Sequence, residues 1–410
     1  MIRRIFSRLD QNSRQALNQA ALCGMFWFAW AVGCYQTVYL QELGFSASQL
    51  GLLNAISSGV GIVSVSFWGM VSDRIGSLRK IFMILLISSS VLYALTPLIP
   101  AGLPFSPILF TAYLPFVNFF RSPTSSFSEN ILVRNCNELH LNYGMLRSVG
   151  SLLFTISSFA ISFLLPYVGV KNTFWLTGLL VIIVVVLTVF AREPAARPKK
   201  GDGEKAEKLE LGRLFHSRGY VMFLVFTFFF YLAACSESSF IPYLMAEVGV
   251  PSQQYGVLLG YRALLEVPFL LLMAKFRRRF PLRNLIVCAA VLMAVECAGF
   301  GLLTNGLGLM LLFCTFFGLG NGLFIGASLN YIYELAPDGL KATAQTLFAS
   351  VSSVAGILGN LLGGMVLDGM GAKSFYLVIA AAYCLSALIF ILSFGKRKAA
   401  TDRQEGAETE

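Results

Sequence analysis

The feature that most limits what this chain can become is a succession of long apolar runs, each separated from the next by a short polar turn. About twelve can be drawn, near 17–40, 48–71, 80–99, 106–130, 143–166, 172–191, 219–245, 254–275, 283–303, 305–332, 343–367 and 373–394. A bilayer core about 30 Å thick needs roughly 20 helical residues to cross it. With 56% hydrophobic and only 13% charged residues over 410 positions, a water-soluble fold could not hide the apolar surface. The expected fold class is therefore an all-α polytopic membrane protein. No cleavable signal peptide is expected, because a polar stretch follows the basic start and the first apolar run is too long and aromatic.

The net charge of +10 could suggest a nucleic-acid partner. The placement of the charges excludes one. Lys171 and Lys373 are the only basic residues in the turns of one side, Arg121, Arg147 and Arg262 fall inside apolar runs, and the rest of the 31 lie on the other side. Such asymmetry predicts both termini in the cytoplasm and residence in the cell membrane. The eight Cys are scattered without metal-ligand spacing, and the two His, His140 and His216, fall in expected cytoplasmic loops. No metal site, cofactor or enzymatic constellation is expected.

Residues 192–218 form the only long polar interior stretch, which predicts a linker between bundles at 1–191 and 219–395, with a polar tail at 396–410. An internal repeat supports two halves. ELGFSASQLG at Glu42–Gly51 returns as EVGVPSQQYG at Glu247–Gly256, with Glu, Gly, Gln and Gly in register at an offset of 205. Two six-span halves of like orientation describe a parallel-repeat transporter, with its site between them near mid-membrane.

Seven charged side chains fall within predicted spans: Arg121, Glu129, Arg147, Glu237, Arg262, Glu266 and Glu296. Each costs roughly 2.5–3.5 kcal/mol if it faces hydrocarbon, so they are expected to pair in a wet interior. Three Arg against four Glu leave one excess carboxylate. Burial disfavours its charged form, which suits it to loading and releasing a proton. Glu237, in the Pro-interrupted patch CSESSFIP, is the first choice and predicts a broken seventh span. Arg262 and Glu266 are i,i+4 on one helix, and Glu296 would compete for the same Arg. In the first span Trp27, Trp30, Tyr35, Gln36 and Tyr39 offer rings and an amide to a solute, with helix packing as the plainer role. Asn54, Asn118 and Asn321 are read either as solute contacts or as polar glue between helices.

Two motifs bear a family resemblance. The turn Gly69–Lys80, GMVSDRIGSLRK, resembles the loop between the second and third spans of the major facilitator superfamily. That resemblance implies a conformational gate at Gly69, Asp73, Arg74, Gly76 and Arg79. Glu129, followed 18 residues later by Arg147 in Tyr143-Gly144-Met145-Leu146-Arg147-Ser148-Val149-Gly150, resembles the lactose permease group with its phenylpropionate and nucleoside permeases. Glu266-Val267-Pro268, LKATAQTLF at Leu340–Phe348, and the glycines 356, 359, 363 and 364 extend the likeness to the eighth and eleventh spans. It implies two six-helix bundles and Glu129 and Arg147 as substrate contacts; Arg121, Asn118, Trp30, Tyr35, Gln36 and Asn321, read from the residues themselves, are further candidate contacts, and a monomer is expected. Departures fall in the ninth span, where Glu296 stands in place of Arg, and in the tenth, which lacks the His and acid of relatives. Arg262 with Glu296 then reads as an exchanged ion pair.

The function expected is proton-coupled uptake of a small polar solute, a sugar or nucleoside, with solute, protons and lipid as the only partners. Two alternatives are a proton-antiporting exporter of amphipathic compounds and a transport-dead sensor. The first is disfavoured because no acid lies between Leu17 and Leu40, the second because 192–218 is too short for a partner domain.

Overall fold

The computed structural model describes residues 11–100, 102–193, 211–337 and 340–407. The expected linker lies mostly outside them. Fourteen α-helices run in order among the described residues. They are α1 (Gln11–Gly33), α2 (Gln36–Glu42), α3 (Ala47–Ile75), α4 (Leu78–Leu95), α5 (Ser106–Glu138), α6 (Tyr143–Val168) and α7 (Thr173–Phe190). The second series is α8 (Leu211–His216), α9 (Arg218–Glu247), α10 (Tyr255–Arg279), α11 (Leu282–Leu302), α12 (Leu307–Leu335), α13 (Lys341–Met370) and α14 (Ala372–Ala407). Leaving aside the short α2 and α8, twelve long helices match the twelve apolar runs. Ten spans are long and apolar enough by composition to cross a membrane, α1 and α2 counting together. The two helices outside that set, α5 and α10, carry Arg121 with Glu129 and Arg262 with Glu266. Outward-facing residues such as Val63, Ile108, Phe163 and Leu392 are exposed and apolar, as lipid contact requires.

The chain divides into two compact units, 1–199 with 251–264, and 200–250 with 265–410. Within the first, α1 packs on α6 and α7, and α4 on α5 and α7. Within the second, α9 packs on α13 and α14, and α11 on α12 and α14. These are the same pairings shifted by six spans. The repeat read from sequence also recurs in backbone geometry. Gly44 (φ 83) and Gly249 (φ 71) take left-handed conformations closing α2 and α9. The following amides, of Phe45 and Val250, bond back to Leu40 and Met245 carbonyls at 3.1 and 2.8 Å, again 205 residues apart. The repeat's Glu residues reach partners distant in sequence. Glu247 caps α14 by accepting the Ala372 amide at 2.6 Å, and Glu42 accepts the Ser252 hydroxyl at 2.7 Å.

The break in the helices falls elsewhere than expected. α9 runs unbroken through Pro242. The Tyr376 hydroxyl bonds the Glu237 carbonyl at 2.9 Å, next to the carbonyl that Pro242 leaves without its amide. The interrupted span is the first. α1 stops at Gly33, Cys34 and Tyr35 close on Ala31 and Val32 carbonyls in tighter i−3 bonds, and α2 restarts at Gln36.

Candidate functional site

Trp27 and Trp30 lie three residues apart, hence on one face of α1. Each carries an arginine. The Arg147 guanidinium stands 4.6 Å from the Trp27 ring, and that of Arg121 lies 4.9 Å from Trp30 and 4.4 Å from Tyr93.

Around Arg147 every marked position of the sequence motif except Gly144 has a part. Asn142 caps α6 by accepting the Met145 amide at 3.1 Å, which fixes where the helix begins. One turn in, Arg147 Nε reaches Glu129 Oε2 at 3.4 Å, and its Nη1 donates to Ser151 Oγ at 3.3 Å. The Tyr143 hydroxyl donates to the other carboxylate oxygen, Oε1. Gly150 makes room for the stack. A Cβ there would sit 2.6 Å from Trp27 Cδ1, 3.0 Å from Cys23 Sγ and 3.2 Å from Arg147 Nη1. The side chains of Arg147 and Glu129 are 31% and 35% exposed, so the pair is held by the protein yet open to a ligand. Trp27 was read from sequence only as one of several first-span rings, and Tyr143 and Ser151 were not assigned roles. The i,i+3 Trp pair and the aromatic that opens the motif were the signals for the first two.

The other expected contacts fall into different surroundings. Asn118 donates from Nδ2 to the Ser57 carbonyl at 2.7 Å, the polar-glue role joining α5 to α3. Tyr35 is wholly buried. Its hydroxyl donates to the Gln253 carbonyl at 3.1 Å and accepts the Gly256 amide at 2.8 Å, so it presents no face to a solute in this structure. Gln36 is half-buried just beyond the break. Arg121 packs against Gly33, whose carbonyl accepts the Tyr93 hydroxyl at 3.0 Å.

In the second unit the structure joins two residues that were assigned separately. Asn321 Nδ2 donates to Glu266 Oε2 at 3.0 Å, and Glu266 keeps partial exposure. Glu237 and Glu296 are wholly buried. The Glu237 carboxylate accepts the Ser238 hydroxyl at 3.3 Å. Its neighbours in CSESSFIP stitch α9 to α13: Ser236 Oγ bonds the Gly359 carbonyl and Ser239 Oγ bonds Asn360 Oδ1, both at 2.6 Å. This patch is a helix–helix seam, which corrects the expectation of a broken span and of a solitary carboxylate. Arg262 is buried and falls in the first unit, whereas Glu296 falls in the second.

The turn between α3 and α4 is built as an anchor at one end only. Gly76 (φ 72) ends α3, and Ser77 caps α4 by accepting the Lys80 amide at 3.2 Å. Glu193, just past α7, accepts Ser77 Oγ at 3.0 Å and the Arg79 amide at 3.2 Å, and pairs with Arg79 Nε at 3.2 Å. Asp73 and Arg74 point into solvent.

Residues 20–378 match the model of the MFS_1 like family. The chain belongs to that family. It is a multi-pass membrane transporter of the major facilitator type and not an enzyme. Among proteins it resembles is a transporter of Bacillus subtilis, YwbF, 24% identical over 92% of either chain. Another is the maltose permease of Geobacillus stearothermophilus, 24% identical over 90% of this chain and 91% of the permease. A solved structure of a variant of the nucleoside transporter NupG superposes with a TM-score of 0.79, covering 93% of this chain and 100% of that one at 16% identity. At that identity the likeness speaks to the fold.

Proposed function

We propose that this transporter carries a small polar solute, a sugar or nucleoside, into the cell together with a proton. The observation that carries the reading is the Glu129–Arg147 pair laid against the Trp27 ring. A carboxylate accepts and a guanidinium donates hydrogen bonds, so together they suit neighbouring hydroxyls of a sugar or ribose. An indole face beside them suits the apolar face of a sugar ring or a flat base. Relatives named as maltose permease, sucrose permease and nucleoside transporter agree with that solute class.

Glu266 is the proton carrier in this reading. A proton must reach its acceptor through water, and Glu266 is partly exposed whereas Glu237 and Glu296 are wholly buried. The Asn321 amide donates to Glu266, a charge-assisted bond that weakens when the carboxylate protonates, so protonation and the α10–α12 contact are coupled. Asp73, Arg74 and Gly69 serve as the gate on the cytoplasmic side, with Glu193 holding Arg79 as its fixed point. Both termini lie in the cytoplasm.

The test is uptake by proteoliposomes under an imposed inward proton gradient, screened across labelled sugars and nucleosides. Accumulation that collapses with a protonophore supports the reading. Uptake that only equilibrates and ignores the gradient for every solute overturns the coupling.

A further inference from the structure

Arg121 sits near the middle of α5, about 12 Å along the axis from Glu129. Among the described residues no carboxylate lies within ion-pair distance of it. Its guanidinium lies against two rings, Trp30 and Tyr93. Each ring contributes about 0.5–2 kcal/mol. Arg121 is half-buried, so its charge is only partly hydrated, and the rings alone leave a positive potential beside it.

A cavity of about 30 Å³ opens beside the guanidinium. One water needs roughly 10–15 Å³ by this measure, so the space admits a single small ion or a water or two, and excludes a sugar, a nucleoside or a phosphate ester. The wall includes four hydroxyls besides the two rings: Ser89, Ser90, Thr124 and Thr177. Thr124 and Thr177 donate to carbonyls of their own helix at 2.6 and 2.8 Å. Ser89 and Ser90 hold the Leu86 and Gly178 carbonyls more loosely, at 3.2 and 3.3 Å. Such bonds to the backbone exchange readily for a better acceptor, because a serine hydroxyl turns about χ1. A cation, hydroxyl donors and room for one ion in an otherwise apolar pocket describe a receptor for a monatomic anion.

We propose that the Arg121 pocket binds a halide ion, chloride under physiological conditions. It neutralises the guanidinium where the first span is interrupted, since the same guanidinium packs on Gly33. The inference is independent of which solute is carried.

Trp30 is a built-in reporter, one of four tryptophans in the chain. The purified full-length protein is placed in chloride-free gluconate buffer at constant ionic strength and titrated with iodide, with tryptophan emission followed. The expected result is a saturable quench of up to about a quarter of the emission, superposed on the linear collisional one. Chloride, a poor quencher, should displace it. Arg121→Gln should lose the saturable component, and Trp30→Phe should lose most of it. Purely linear quenching that chloride does not relieve overturns the proposal, as does an unchanged saturable component in Arg121→Gln. Should that variant fail to fold, chloride competition in the unaltered protein decides alone. No transport is read, so failure here is separate from failure of the uptake reading.

Discussion

Gly150→Ala is the most informative small change available in this chain. The added methyl would stand 2.6 Å from Trp27 Cδ1, and the other two neighbours, Cys23 Sγ and Arg147 Nη1, are at 3.0 and 3.2 Å. A Cβ cannot sit that close to a ring carbon, so Trp27 must move, and Trp27 is the face on which Arg147 rests at 4.6 Å. Overpacking of this kind costs about 1–3 kcal/mol of stability. Loss of the cation–π contact removes about 0.5–2 kcal/mol from the energy that holds Arg147 in place. Carried into solute binding, that is a rise in KM of about 2- to 30-fold. The assay is solute uptake in proteoliposomes alongside thermal unfolding in detergent, for Gly150→Ala, Trp27→Ala and the double variant. If the glycine exists to seat the indole, Gly150→Ala should cost far less once Trp27 is gone, giving clear coupling in the cycle. Additive losses, or wild-type KM in Gly150→Ala, would refute the assignment.

Glu266→Gln should abolish accumulation driven by a proton gradient yet keep solute exchange between equal pools, measured as counterflow; loss of both would assign Glu266 to solute binding instead. Gly76→Ala forces a Cβ into a left-handed conformation (φ 72) and should lower stability by about 1 kcal/mol in thermal unfolding. Gly69→Ala, inside α3 with nothing within 4 Å of the added Cβ, should raise stability by about 0.5–1 kcal/mol in thermal unfolding while slowing transport if the gate assignment holds. Tyr35→Phe strands the buried Gly256 amide, while the Gln253 carbonyl keeps the Ser162 hydroxyl, and should destabilise by about 1–3 kcal/mol without altering which solute is taken.

Much of the fold was legible because lipid imposes its own arithmetic on a sequence: a helix must be long enough and apolar enough to cross, and basic loops must alternate. The repeat Glu42–Gly51 and Glu247–Gly256 foretold matching turns because the first glycine of each copy, Gly44 and Gly249, is needed at positive φ. Glu129 and Arg147 stood out since charge inside an apolar run demands a partner, and the pair is present. Other features were hidden in tertiary contacts. Nothing in AVGCYQ marks a helix end; the break follows from Arg121 and Tyr93 packing on Gly33 and from Tyr35 being held by Gln253 and Gly256. Pro242 suggested an interruption, yet α9 continues through it. The grip of Glu193 on Arg79 joins residues 114 apart, a distance no local pattern spans.

The claim that tests most directly is that Glu129 and Arg147 together hold the solute. Counterflow of labelled sugars and nucleosides, which needs binding and reorientation but no proton gradient, should be lost in Glu129→Gln and in Arg147→Lys while both variants insert and melt like the parent protein. Lysine keeps the charge but neither the planar fork nor its stacking on Trp27, so retained charge alone should not rescue exchange. Counterflow at the parental rate in either variant would contradict the account.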